Sequence, residues 1–484
     1  MDQALLERDH FLIGGRPAAP RGEGRLAVVC PSTEAIAGSV PLATSADIDA
    51  AVRAARTAFD EGPWRRLTLE ERSEVVLRAC AILDDQVDDI AFVLTTEMGS
   101  PITKSKRTLV APALMVARSL VEHAKSVQFE ERRSGVAGDA LVQRNPVGVV
   151  AAIAPWNGPF AVAVAKIVPA LLTGCTVVFK AAPETPLDTY WLGEALQQAG
   201  LPNGVLNLVP GGRDVGESLV AHPGVNKVSF TGSTPAGRAI GAVCGQQLKR
   251  MQLELGGKSA AIVLADADLD AALPALSAGA FGNTGQVCAS LSRVLVHRSR
   301  ADEVVDGLAA RAAAQRVGDP FDPTTQQGPL VSERQRERVD GYIAIGRHEG
   351  AKLVTGGGRP AGLERGWYVE PTVFADGDNS MRIAQEEIFG PVVLVIPFDD
   401  EVEAVRLAND SKFGLHGAVF TSDAERALAV AQEIDTGTFT VNGFTINPDA
   451  PFGGVKASGV GREFGPEGIT AYLEHKTINL PAAR

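Results

Sequence analysis

The sequence predicts the α/β class: two doubly wound domains in series, with a small β-hairpin projecting from them. Three observations point there. The chain has 484 residues, too long for one hydrophobic core, so two or three domains are expected. From Gly148 onward, short β-branched runs alternate with helical stretches, the pattern of parallel strands joined by crossovers. Residues 126–144 alternate polar and apolar side chains around a glycine-containing turn, the pattern of a hairpin.

In chain order, residues 11–15 (FLIGG) and 25–29 (RLAVV) read as a pair of short strands. Helices are expected over about 46–59 and 69–96; in the first, Ile48, Val52, Ala55 and Phe59 recur at helical spacing. After the hairpin, VGVVAAIAPW leads from a strand into a helix reaching Ala170, and TVVFK (176–180) is the next strand. Further strands are expected at 204–209, 226–230 and 259–265. A second set begins at 293–298 and continues at 392–398 and 417–421. Residues 470–480 become strand-like towards their end, which suits pairing along a sheet edge.

Composition narrows the function classes. The net charge of −12 repels phosphate backbones and anionic lipid, so neither nucleic acid nor membrane is an expected partner. A dinucleotide is still compatible, because backbone N–H groups at a helix start hold phosphates without surface basicity. The 51 glycines follow no Gly-X-Y period, which implies tight turns and close backbone approaches rather than a fibre. Five scattered cysteines (Cys30, Cys80, Cys175, Cys244, Cys288) form no CxxC pair or His-Cys cluster. No metal site is expected, and free thiols fit a reducing compartment. The longest apolar stretch, 161–179, is interrupted by Lys166, Pro169 and Gly174, and so reads as a buried helix running into a buried strand, not a membrane span. MDQALLERDH lacks the basic-then-apolar layout of a secretory signal. The expected location is cytoplasmic.

Four segments carry possible chemistry. Cys288 lies in GNTGQVCAS, where glycines and amides suggest a tight loop exposing a thiol among backbone N–H donors. Such a loop lowers a thiol pKa, although a free cysteine is more commonly a buried structural residue. Glu254, in MQLELGGKSA, sits among apolar residues directly before Gly256-Gly257; apolar surroundings raise a carboxyl pKa and suit a general base. A solvated glutamate at a strand end is the plainer reading. Asn157, in APWNGPF, could donate to an oxyanion, or serve only as a turn residue. VSFTGSTPAG (228–237) reads as strand, turn and helix start, placing Thr231, Gly232 and Ser233 where a pyrophosphate is stabilised. It is not GxGxxG, and an ordinary capped turn would look the same.

Taken together, PWN, FTGS, ELGGKS, GQVC, EEIFGPV and PFGGVKASGVGREFG, in that order between Pro155 and Gly465, resemble the signatures of the aldehyde dehydrogenase superfamily. The resemblance extends before Pro155 and covers nearly the whole chain. Glu254 and Cys288 lie 34 positions apart, as that family's base and nucleophile do. The resemblance implies two Rossmann-like α/β domains, cofactor-binding (1–125 and 145–256) and catalytic (257–445). An oligomerisation hairpin and tail would comprise 126–144 and 446–484. It implies that Cys288 attacks an aldehyde, that Asn157 and the Cys288 N–H hold the oxyanion, and that hydride leaves to nicotinamide. Glu254 would then activate the water that hydrolyses the thioester. Two rivals remain open: transfer of the acyl group to coenzyme A, in relatives that generally lack this glutamate, and a cofactor-free thiol esterase.

For the cofactor, the resemblance places Ile153, Pro155, Trp156, Lys180, Gly232, Ser233, Glu387 and Phe389 at the dinucleotide. NAD-preferring members often read K-x-x-E after the strand. Here Pro183 stands in the carboxylate's place and Glu184 comes one residue late, so NAD is expected and NADP is admitted. Gly158, Ala161 and Ala165 fall where relatives handling small aldehydes carry bulkier groups. With Val287 and Phe452 they predict a roomy apolar tunnel, Phe452 at its mouth, for a bulky or long-chain aldehyde, aromatic and terpenoid ones included. The resemblance also implies a homodimer or homotetramer, the hairpin pairing with a partner's catalytic-domain sheet.

Overall fold

The computed structural model describes residues 5–481. Two large sheets carry the chain. The first takes its strands in the spatial order Arg16–Ala18, Phe11–Ile13, Leu206–Leu208, Thr176–Lys180, Val149–Ile153, Lys227–Thr231, Arg250–Glu254 and Gly459–Val460. Its five central strands run parallel. Every residue of Val149–Ile153 and Thr176–Lys180 is buried, as expected of parallel strands covered on both faces by helices, and this explains their unbroken apolar runs. The second sheet is ordered Lys352–Thr355, Thr372–Ala375, Val392–Phe398, Arg293–His297, Ala260–Val263, Gly417–Phe420 and Thr440–Val441. Only Lys352–Thr355 pairs antiparallel.

Several expected elements differ in detail. The runs 11–15 and 25–29 do not pair with each other, because each is followed by its own turn. Phe11–Ile13 folds back on Arg16–Ala18 through Gly14 and Gly15, whose φ of 67° and 73° suit a two-residue hairpin turn. Arg25–Cys30 pairs with Ala35–Pro41. The single helix expected over 69–96 is two, Leu69–Asp84 and Val87–Met98. The break falls at Asp85–Gln86, where Gln86 leaves the helical region and its N–H turns to Leu83 O at 3.0 Å.

The hairpin comprises Glu130–Gly135 and Gly138–Pro146. Its inner strand pairs over seven residues with the chain's own tail, Leu473–Asn479. Within one chain, then, the hairpin completes a three-stranded sheet with the tail, and Glu130–Gly135 is its outer edge. The segment 446–484 is divided: Gly459–Val460 instead borders the first large sheet beside Glu254. All five cysteines are free thiols. Among the described residues, no helix is long and apolar enough to cross a membrane.

The strand order places the switch of chain direction between Val149–Ile153 and Lys227–Thr231. In open α/β sheets, ligands bind outside the carboxyl ends of strands at such a switch. Ile153, Lys180, Thr231 and Glu254 are all carboxyl-end residues of this sheet.

Candidate active site

Strand Val149–Ile153 leads through Pro155, Trp156 and Asn157, all half-buried, into helix Pro159–Leu172. The Asn157 side-chain N–H₂ donates to Gln286 O at 2.9 Å, and Asn283 Nδ2 donates to Asn157 O at 2.8 Å. Both partners belong to the loop before Cys288. That loop follows helix Leu269–Phe281 and turns sharply: Asn283, Thr284 and Gly285 have φ of 50°, 55° and 70°. Gly285 is required there, since a Cβ would lie 2.0 Å from Gly390 O. Asn283 was not singled out from the sequence, yet it ties the Asn157 strand to the cysteine loop.

Gly256 and Gly257 explain how Glu254, Cys288 and Glu387 come together. A Cβ on Gly257 would sit 2.4 Å from Cys288 O, and one on Gly256 would sit 2.3 Å from Glu387 Oε2. The Gly257 N–H donates to Glu387 Oε1 at 3.0 Å. Any larger residue would push the loops apart.

Cys288 is half-buried. Its thiol is pushed up to about 12, chiefly by burial and then by the Glu387 and Glu254 carboxylates, while the Ala289 N–H works the other way. This corrects the expectation of a depressed thiol: glycines and amides supply a tight turn, but no cation accompanies them.

Glu254 is 3 % exposed, and neither carboxyl oxygen has a hydrogen-bond partner among the described residues. Burial pushes its carboxyl well above the usual range. Glu463 adds to the rise, and Lys166 and Arg462 oppose it. Behind it, Lys166 Nζ pairs with Glu463 Oε1 at 2.7 Å and donates to Ser229 Oγ at 3.1 Å. The Tyr472 hydroxyl lies 3.2 Å from the same oxygen. Lys166 and Glu463 were missed as site residues. The available signal was the lone lysine in an apolar helix, because a buried ammonium requires a buried counter-charge.

The apolar residues near the thiol form one cluster. Val287, Cys288, Phe444 and Phe464 pack against Ala289, Leu415 and Phe452. Phe452 is 7 % exposed and belongs to this cluster. Reciprocal 2.7 Å hydrogen bonds with Glu463 hold its backbone, and its ring centroid lies 6.1 Å from that of Phe464. A Cβ at Gly158 would meet nothing within 4 Å. Ala161 is half-buried, whereas Ala165 is buried and offers almost no open surface.

The carboxyl ends of the first sheet and the loops beside them carry groups suited to a dinucleotide. Ile153 is buried, and Lys180, its register partner, donates from Nζ to Ala181 O at 2.8 Å. Burial pushes the Lys180 ammonium down to about 8, while Glu184 and Asp214 support its charge. Ser233 is exposed and caps helix Thr234–Gln247, accepting from the Ala236 N–H. Gly232 lies over the Phe230 ring, which a Cβ would approach to 2.5 Å. The Thr231 hydroxyl is buried without a partner among the described residues. The Trp156 and Phe389 rings meet edge to face at 5.2 Å, and Phe389 O is held by Gln335 Nε2 at 2.7 Å. A hydroxyl without a partner among the described residues beside a capped helix start, a lysine at a strand end two strands away and a carboxylate at Glu387 match phosphate and ribose groups. The residues present fit NAD.

The profile of the Aldehyde dehydrogenase family matches residues 19–478. Geranial dehydrogenase of Castellaniella defragrans is 46% identical over 476 residues, covering 98% of this chain and 99% of that protein. A Mycobacterium tuberculosis aldehyde dehydrogenase complexed with NAD+ superposes with a TM-score of 0.98 at 46% identity, covering 99% of both chains. A mutant of aldehyde dehydrogenase C from Pseudomonas syringae, complexed with NAD+ and octanal, gives 0.94 at 40% identity, covering 98% of both.

Proposed function

Since the chain belongs to the aldehyde dehydrogenase family, we propose that it oxidises a bulky apolar aldehyde to its carboxylate with NAD+, using Cys288 as nucleophile and Glu254 as hydrolytic base. The observation that carries this reading is the buried, unpartnered Glu254 carboxyl acting on the half-buried Cys288 thiol. Asn157 is anchored to the same loop.

In this mechanism Cys288 Sγ gives its proton to solvent water and bonds to the aldehyde carbon as the C=O π pair moves onto oxygen, giving the thiohemiacetal anion. The second Asn157 amide hydrogen and the Cys288 N–H receive the developing oxyanion. Bound NAD+ supplies the hydride acceptor. Lys180, Ser233, Glu387 and Phe389 are the residues that would hold it, with Ile153, Pro155, Trp156 and Gly232 forming the walls. Glu254 takes a proton from the water that attacks the resulting thioester, and the carboxylate leaves as Sγ is freed. Glu463 keeps Glu254 a strong proton acceptor, and Lys166 offsets the charge of Glu463. Transfer to coenzyme A would leave Glu254 without a task, and an esterase would leave Glu387 and Phe389 without one. Incubating the protein with NAD+ and a panel of aldehydes, without coenzyme A, is expected to give NADH. Absence of NADH across the panel would overturn the proposal.

The substrate class rests on Gly158 and the aromatic cluster, and the geranial and octanal of the relatives agree with it. Decanal is expected to be used with higher kcat/KM than acetaldehyde. Gly158 has an extended φ of −166°, so Gly158→Phe should fold normally, lower kcat/KM for decanal about tenfold or more and spare acetaldehyde. Equal losses for both aldehydes would show that the space at Gly158 is not substrate space.

Residues 1–125 and 145–256 serve the cofactor, 257–445 carry the nucleophile, and the hairpin with the tail serves assembly. The exposed outer strand Glu130–Gly135 is the edge through which a homodimer or homotetramer would form. Free thiols suit a cytoplasmic location.

A further inference from the structure

The space around Lys180 holds two carboxylates that the reaction does not use. Helix Arg213–Ala221 begins at Gly212 and lies over the lysine: a Cβ on Gly216 would sit 3.6 Å from Lys180 Cδ and Cε. Asp214, in the first turn of that helix, is exposed. Its Oδ1 lies 3.2 Å from where a Gly212 Cβ would be, so the carboxylate turns back over the helix start. That start is otherwise where backbone N–H groups would welcome a phosphate. No ion pair engages Asp214 among the described residues. The adjacent Arg213 is turned to Glu217, Nε to Oε1 at 2.7 Å. Glu184, the other carboxylate, is already partnered by Arg334 at 3.4 Å.

We propose that Asp214 is the specificity-determining carboxylate of this chain, rejecting the 2′-phosphate of NADP in place of the acidic residue that Pro183 displaces. The proposal rests on the reading of Lys180 as the adenosine-ribose lysine. Dinucleotide folds commonly select NAD with a carboxylate near the ribose 2′-hydroxyl, and accommodate NADP with a cation there. Here the cation, Arg213, is neutralised by Glu217, and the unpaired charge at the helix start is negative. A 2′-phosphate brings further negative charge into that space, where it would face Asp214 with little to offset it. The support that Asp214 lends to the buried Lys180 ammonium agrees with its nearness.

Calorimetric titration of the purified protein with NAD+ and with NADP+ tests this without turnover. The wild type is expected to bind NAD+ more tightly. Asp214→Asn should shift the ratio of the two Kd values towards NADP+ by about tenfold, and the shift should shrink at high salt. Glu184→Gln should move the ratio less, because Arg334 already screens that carboxylate. An unchanged ratio in Asp214→Asn, a larger shift in Glu184→Gln, or a wild type preferring NADP+ would each overturn the proposal. Failure of the wild type to bind either dinucleotide would instead overturn the dehydrogenase reading beneath it.

Discussion

Cys288→Ser is expected to lower aldehyde oxidation by roughly 10⁴-fold or more while leaving NAD+ affinity intact. Serine keeps the size of the side chain, and the cluster of Val287, Leu415, Phe444, Phe452 and Phe464 around it should pack as before. What is lost is a sulfur anion. A hydroxyl in the same half-buried place, facing the Glu387 and Glu254 carboxylates, is far harder to ionise than a thiol. A variant that retained a tenth of the activity would remove Cys288 as the nucleophile. The shifted thiol adds a second measurement. A group whose protonated form is favoured to about 12 has thiolate in only about one molecule in 10⁵ at neutral pH. In the cofactor-free protein, alkylation of Cys288 by iodoacetamide should therefore accelerate about tenfold per pH unit across the alkaline range. A rate that levels off near the ordinary thiol pKa would contradict the burial described here.

Glu254→Gln separates acylation from hydrolysis. Glutamine is nearly isosteric but cannot take a proton, so the acyl enzyme should form and then persist. Rapid mixing with NAD+ and aldehyde should show a burst of about one NADH per active site, followed by turnover slowed about 100- to 10,000-fold. Loss of the burst along with the steady rate would assign Glu254 to thiol activation instead. The direction of pH dependence follows from its environment. A carboxyl raised by burial and by Glu463 acts as a base only once ionised. Deacylation should accordingly fall as the solution is acidified through that raised pKa, at a pH above the usual carboxylate range. The same shift destabilises the fold where Glu254 must ionise. Its folded pKa exceeds its unfolded one, so its contribution is greatest below the unfolded pKa and declines as pH rises towards the folded value.

Much of this arrangement was legible in the sequence, for identifiable reasons. The strands Val149–Ile153 and Thr176–Lys180 are buried on both faces, so their apolar runs stood out without any partner being known. Gly256-Gly257 marked a close approach, and the structure places Cys288 O and Glu387 against those two positions. What could not be read was long-range pairing. Nothing local in 11–15 distinguishes a partner at Arg16–Ala18 from one at 25–29, except the Gly14-Gly15 turn. Lys166 looked like an interruption of an apolar helix because Glu463 lies almost 300 positions away (|i−j| = 297). The sign of the Cys288 shift follows chiefly from burial, which long-range packing sets, with the Glu387 and Glu254 carboxylates adding to it.

The Glu254 carboxyl is enclosed by segments that follow all other strands of both large sheets in the chain. Gly453 lies against Oε1, Gly459 pairs with its backbone, Glu463 meets Lys166, and the Tyr472 hydroxyl meets Ser229. While the nascent polypeptide still lacks these residues, both nucleotide-fold sheets have most of their strands, but Lys166 lacks its counter-ion and the base stands open to water. A protease that clips the tail before residue 463 would return the molecule to that earlier, unsealed condition.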